Sequence, residues 1–193
     1  METIRCFIAV ELPFNVKSDL SLLGEQIKQG NHRFVKWVDP QSIHITLKFL
    51  GNVSHAIVPK IIEEVSAAVQ RASPLSLSLE QTGAFPNWRQ PQVIWVGLGG
   101  QVEKLVDLQT RLEKRLIPLG FQRESRSFIP HLTIARVRDG VSPTERQNFG
   151  KWVSSTKIEH IISFEVNSVS VMQSQLSSGG AVYSRLGEAK LGD

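Results

Sequence analysis

The chain has 193 residues, 41% of them hydrophobic and 21% charged, which is apolar enough for the core of about one domain and too weakly charged for a disordered chain. No apolar run reaches the roughly 18–20 residues of a membrane-spanning helix, and Met1–Val10 lacks the basic region, long apolar region and cleavage site of a signal peptide. One cysteine, Cys6, excludes an intramolecular disulfide and a multi-cysteine zinc site and makes a cytoplasmic location the expectation, while a net charge of +4 and a pI near 9.4 suit an anionic partner without specifying one.

In chain order, Ile4–Val10 is a short β-branched run and reads as a strand. Pro13 stands at a first-turn position, and Val16, Leu20, Leu23 and Ile27 follow at helical spacing. Phe34–Val38 and Ile43–Val53 read as strands. Ser54 is placed to cap a helix reaching Arg71, with Ile57, Ile61, Ile62, Val65 and Val69 on one stripe. The second half repeats the pattern. Leu75–Leu79 and Val93–Leu98 are strands, and Val102, Leu105, Leu108, Leu112 and Leu116 mark a helix stopped by Pro118 and Gly120. His131–Val137 is a strand, and Ser142-Pro143 opens a helix to about Val153. The stretch 161–175 is strand-rich, Gly179-Gly180 turns, and Ala181–Leu186 returns before a loose tail of seven residues. The expected fold is α+β: a single domain over residues 1–193, built of two pseudo-symmetric lobes. Each lobe is an antiparallel-rich sheet with helices on its outer face, and the lobes enclose a central cleft.

His44-Ile45-Thr46-Leu47 lies in a strand of the first half and His131-Leu132-Thr133-Ile134 in a strand of the second. Residues two apart in a strand share a face. Each strand therefore presents one imidazole and one hydroxyl on one side and aliphatic residues on the other. If both polar faces line one cleft, a neutral imidazole can take a proton from water and a protonated one can give a proton to a departing oxygen. The hydroxyls of Thr46 and Thr133 can bind the non-bridging oxygens of a phosphodiester between them. Neither motif carries an Asp, Glu or Cys at ligand spacing, so no metal and no cofactor is expected. The motifs are chemically equivalent, and their spacing does not say which histidine is the acid.

With its flanks, Lys36-Trp37-Val38-Asp39-Pro40 through His44-Ile45-Thr46-Leu47-Lys48-Phe49-Leu50-Gly51, the first motif resembles the first signature of the bacterial and archaeal RNA 2′,3′-cyclic phosphodiesterases. These were formerly called 2′–5′ RNA ligases and belong to the two-histidine phosphoesterase superfamily. Arg5–Pro13 resembles the family's first strand and Phe128–Arg136 its second signature, so the likeness spans about residues 4–186. Ser127 departs from a frequent proline. The resemblance implies hydrolysis of RNA 2′,3′-cyclic phosphate ends to 2′-phosphomonoesters, with reversible 2′–5′ ligation. It implies His44 as proton donor and His131 as proton acceptor, and an arginine at Arg136 able to contact phosphate. Simple alternation from His131 sends Arg136 to the other face, so a bulge or strong twist is required.

Strand parity puts Arg5, Phe7 and Ala9 opposite the apolar Cys6, Ile8 and Val10, and Trp95 and Gly97 opposite Ile94, Val96 and Leu98. Phe7 and Trp95 are thus candidates for stacking on a nucleobase. Lys48 is expected at the cleft edge and Phe49 in the core. Arg123 and Arg126 precede the second motif in a loop from which they could reach an RNA backbone. His32, His55, His160 and Tyr183 read as structural or surface residues. Two other functions stay open: a phosphodiesterase acting on small cyclic or 2′–5′ linked nucleotides, and a non-catalytic RNA-end binding module. The second is disfavoured because both motifs are intact. No heptad or dimer stripe is visible, so a monomer with no membrane association is expected.

Overall fold

A computed structural model describes residues 2–158, 162–177 and 180–192. The β-branched and aliphatic alternations become strands β1 (Thr3–Glu11), β2 (Val35–Trp37), β3 (His44–Ser54), β4 (Leu75–Phe85), β5 (Val93–Gly100), β6 (His131–Val137), β7 (Ser163–Val166), β8 (Ser168–Ser177) and β9 (Gly180–Lys190). The helical stripes become α1 (Phe14–Lys28), α2 (Val58–Val69), α3 (Val102–Leu116) and α4 (Pro143–Ser155). The sequence assigns each of these elements correctly in type. Ser54 acts slightly before α2: its Oγ accepts from the Ala56 N–H to start a 3-10 turn that feeds the helix. Gly120, at φ 90°, adopts the left-handed conformation that stops the turn after α3. A capping box between Ser142 and Glu145 starts α4.

The strands form two antiparallel sheets, ordered β3-β1-β8-β9 and β2-β6-β5-β4-β7. The pairs β3/β1 and β6/β5 correspond, one in each sheet, and β3 and β6 lie against each other where the sheets meet. Ile8, Ile45, Ile94, Leu132 and Leu108 belong to one buried cluster that draws on both halves and on the helices. This is the two-lobed α+β fold expected from the repeated pattern.

Two strands end four or more residues later than the sequence reading has them. β4 continues past Leu79 to Phe85, because its polar stretch Glu80-Gln81-Thr82 crosses an irregularity in the pairing with β5 and then resumes the ladder. Residues 187–190, expected in the loose tail, are the end of β9, which pairs with β8 as far as Lys190, and Leu191 is buried. His160, the start of the 161–175 stretch and Gly179 lie outside the described residues.

Candidate active site

His44 opens β3 and His131 opens β6, and the two are built alike. Ile45 and Leu47, like Leu132 and Ile134, are buried in the common core, which turns His44, Thr46, His131 and Thr133 outward to half-buried positions. β3 and β6 lie against each other, so the two motif strands adjoin where the sheets meet. The His44 Nδ1 lies 2.8 Å from the Ser42 carbonyl, and the His131 Nδ1 lies 2.7 Å from the Ile129 carbonyl. A carbonyl can only accept, so Nδ1 carries the proton in both rings. Nε2 is then the atom left to exchange protons with a substrate.

Aromatic rings support each imidazole. Phe7 stacks on His44 with centroids 4.7 Å apart, and Tyr183 meets it edge-on at 5.1 Å. Phe85 meets His131 edge-on at 5.0 Å, and Trp95 lies 6.0 Å away. Burial pushes both imidazoles below the ordinary histidine range. At His44 the Ser42 carbonyl and the Glu11 carboxylate oppose that shift, while Lys17 adds to it. At His131 the Ile129 carbonyl opposes it and the Arg136 guanidinium adds to it.

Each motif strand carries a bulge three residues after its histidine. Ile8 pairs with Lys48 and Ala9 with Thr46, which leaves Leu47 as the extra residue. Ile94 pairs with Ala135 and Trp95 with Thr133, which leaves Ile134 extra. A bulge reverses the alternation beyond it. Arg136 consequently turns to the side of His131 and Thr133. The same reversal corrects two expectations in the first lobe. Lys48 is not at the cleft edge: it is 4% exposed, and its Nζ donates to both Glu113 carboxylate oxygens and to the Gln122 carbonyl. Phe49 is not in the core: it is 62% exposed, with its ring 6.3 Å from Phe7. A second extra residue, Leu50, follows, and Gly51 beside it holds φ at 72°, a conformation that favours glycine.

Phe7 is also corrected. It is 3% exposed beneath His44 and offers no face to a nucleobase. Trp95 is half-buried: its ring lies on Gly83 and 5.1 Å from Phe85, and its Nε1 has no acceptor among the described residues. Arg123 and Arg126 are exposed in the loop before β6, and Arg5 is exposed on β1. His32 packs against Phe149, and His55 is on the surface.

Three residues at the site were missed. Tyr183 reaches His44 from β9, which only the tertiary pairing reveals. Phe85 lies beyond the point where β4 was thought to end. Glu11 shares strand parity with Phe7 and Ala9 and could have been found that way. A cavity of about 430 Å³ opens beside His44, lined by Glu11, Lys17, Asp39, Ser42, Met172 and Tyr183 among others. Among the described residues no cluster of three or more His, Cys, Asp and Glu side chains could hold a metal ion. Nor is any helix among them long and apolar enough to cross a membrane.

Residues 10–95 and 97–183, one stretch in each half, match the model of the LigT-like phosphoesterase family. The chain belongs to that family. This LigT-like phosphoesterase is 31% identical over 180 residues to an RNA 2′,3′-cyclic phosphodiesterase of Methanothermobacter thermautotrophicus, covering 93% of this chain and 95% of the relative. It is 27% identical over 199 residues to an RNA 2′,3′-cyclic phosphodiesterase of Aquifex aeolicus, covering 100% of both. A crystal structure of a Thermus thermophilus protein shares the LigT-like fold with a TM-score of 0.78 at 23% identity over 98% of each chain. Escherichia coli LigT in complex with 3′-AMP does so with a TM-score of 0.78 at 21% identity over the whole of both chains.

Proposed function

We propose that this LigT-like phosphoesterase opens RNA 2′,3′-cyclic phosphate ends to 2′-phosphomonoesters without a metal. The observation that carries the reading is the mirrored pair of His-x-Thr strands, each with Nδ1 anchored to a main-chain carbonyl and Nε2 without a hydrogen-bond partner among the described residues. Water attacks phosphorus as it loses a proton to the Nε2 of neutral His131. The bond from phosphorus to the ribose 3′ oxygen breaks as protonated His44 gives that oxygen its proton. Thr46, Thr133 and Arg136 bind the non-bridging oxygens and stabilise the charge that gathers on them. With a 5′ hydroxyl in place of water, the same proton transfers make a 2′–5′ linkage; in reverse, with acid and base exchanged, the 3′ hydroxyl attacks phosphorus, the 5′ oxygen leaves and the linkage breaks. The names of the family relatives support the substrate class, as does the positive net charge. The lobes share a core and act as one domain of a cytoplasmic monomer. Phe49 and the open part of Trp95 are the ring faces that a nucleobase would meet.

A second reading keeps the chemistry and takes small cyclic or 2′–5′ linked nucleotides. It is favoured by the cavity beside His44, whose volume is within the roughly 300–1,000 Å³ of small-molecule sites. One assay tests both. The purified protein, with a strong chelator present, is incubated with an RNA ending in 2′,3′-cyclic phosphate and with mononucleoside 2′,3′-cyclic phosphates. The expected product is the 2′-phosphomonoester of the RNA, formed at undiminished rate. Abolition by the chelator with rescue by zinc or manganese overturns the mechanism, and turnover of the mononucleotide alone selects the second reading.

A further inference from the structure

The two lobes correspond strand for strand around the histidines, so any position where they differ can assign different roles to equivalent imidazoles. On β1, Glu11 is the cross-strand partner of His44. On β5 the corresponding partner of His131 is Gly97. The second lobe has little room for a side chain there, because a Cβ on Gly97 would lie 3.3 Å from the Gln81 carbonyl oxygen. Five residues beyond each histidine, the position turned by the bulge to the histidine's side of the strand is Phe49 in the first lobe and Arg136 in the second. A carboxylate thus accompanies His44 and a guanidinium accompanies His131.

Glu11 is held in place. Its Oε1 accepts from the Ser170 Oγ at 2.6 Å and from the Arg185 Nε at 2.8 Å, and Arg185 is fixed in turn by Glu188 at 3.0 Å. Burial pushes the Glu11 carboxyl up, but the hydrogen bonds from Arg185 and Ser170 outweigh it and hold the group below the usual range, so it is charged at neutral pH. The charged and titratable groups around His44 are Glu11 from β1, Lys17 from α1, Asp39 from the turn before β3, and Tyr183 and Arg185 from β9. Around His131, Arg136 supplies charge from β6, while β5 and β4 present Trp95, Gly97 and Phe85.

We infer that Glu11, clamped by Ser170 and Arg185, is the positioning residue that assigns the acid role to His44, with Arg136 biasing His131 toward the base. The inference rests on the cyclic-phosphate reading above. A negative charge favours the imidazolium and a positive charge the neutral ring, so the asymmetry breaks the chemical equivalence of the motifs.

The test uses Glu11→Gln and Arg185→Met, each read by the pH dependence of kcat/KM on a 2′,3′-cyclic phosphate RNA and by NMR titration of the histidine ring protons. Glu11→Gln keeps the shape and a hydrogen-bond acceptor but removes the charge. Its alkaline limb and the His44 titration move to lower pH, while the acid limb stays. Arg185→Met leaves Glu11 without its counter-ion, and the same limb and titration move to higher pH. A merely structural role would not produce shifts of opposite sign. Folded variants with an unmoved His44 titration and alkaline limb, or with movement of the acid limb instead, overturn the inference. Wild-type protein inactive on every cyclic phosphate overturns the functional reading and the acid assignment with it, while the titrations still report whether Glu11 acts on His44.

Discussion

Leu47 and Ile134 occupy one position of the fold twice over: each is the unpaired residue of a bulge three places after a motif histidine. Before the bulge, the His-x-Thr pair is half-buried on the face opposite its buried aliphatic neighbours. After it, the alternation reverses, so Phe49 and Arg136 are exposed on the histidine side while Lys48 and Ala135 are buried. The bulges determine which side chains stand beside the two histidines.

Replacing His44 or His131 by alanine removes one proton-transfer partner and lowers the rate on a cyclic-phosphate RNA about 10²–10⁴-fold. The two act as a unit, so the double variant loses much less than the product of the single losses. Thr46→Val and Thr133→Val each lose less than a histidine variant, since only a neutral hydrogen bond to phosphate goes. The wild-type pH–rate profile is bell-shaped. His44→Ala flattens its alkaline limb and His131→Ala its acid limb. Near wild-type rates in both histidine variants would leave the binding-module function standing instead.

The Lys48–Glu113 pair, 2.9 Å apart and buried on both sides, ties β3 to α3. Gln109 donates to the same carboxylate at 3.1 Å. Lys48→Met leaves a carboxylate buried without its cation and lowers unfolding free energy by about 3–5 kcal/mol, as does Glu113→Gln for the ammonium. Urea denaturation of the two single variants and the double variant checks this. The double variant recovers most of either loss, because no lone charge remains. Additive losses would contradict a direct coupling.

Stability depends on pH through the histidines. Burial holds His32, His44 and His131 below the ordinary value of 6.5 in the folded protein. In the window between folded and unfolded values the unfolded chain binds more protons, so stability rises with pH there. It is complete above about pH 6.5 and falls as the pH drops from there through the folded values. Glu11, whose carboxyl is depressed, contributes above its unfolded value and is lost further into acid. Urea midpoints at pH 8 and pH 5.5 show the first loss, and replacing the three histidines by glutamine reduces it. A midpoint that rises on acidification would contradict the assigned directions.

Gly83 lets the Trp95 ring lie flat on β4, since a Cβ there would overlap the indole. Gly83→Ala overpacks this contact and destabilises by about 1–3 kcal/mol. It also lowers activity, because the ring it displaces adjoins His131. Gly24→Ala in α1 is the control. Nothing lies within 4 Å of its Cβ, and it stabilises by about 0.4–1 kcal/mol. Equal effects from the two substitutions would remove Gly83 from the account of the site.

The amino-acid sequence by itself determined the element types, the two-lobed arrangement and the paired outward faces of His44 with Thr46 and His131 with Thr133. All of these follow from local periodicity, which is about 3.6 residues in a helix and about 2 in a strand. It also held the likeness to a family whose model matches both halves. What stands around those four residues was decided only by the tertiary structure. Strand parity survives only until a bulge, and bulges arise from pairing with β1 and β5, which are distant in sequence. That is why Lys48 and Phe49 exchanged places and why Arg136 turned to the side of His131. Phe7 has the parity of a cleft residue, yet His44 covers it, because parity gives a direction and not what lies above. Tyr183, Phe85 and the Glu11–Arg185 contact depend on which strands become neighbours, and cross-strand proximity leaves no periodic trace in a single chain.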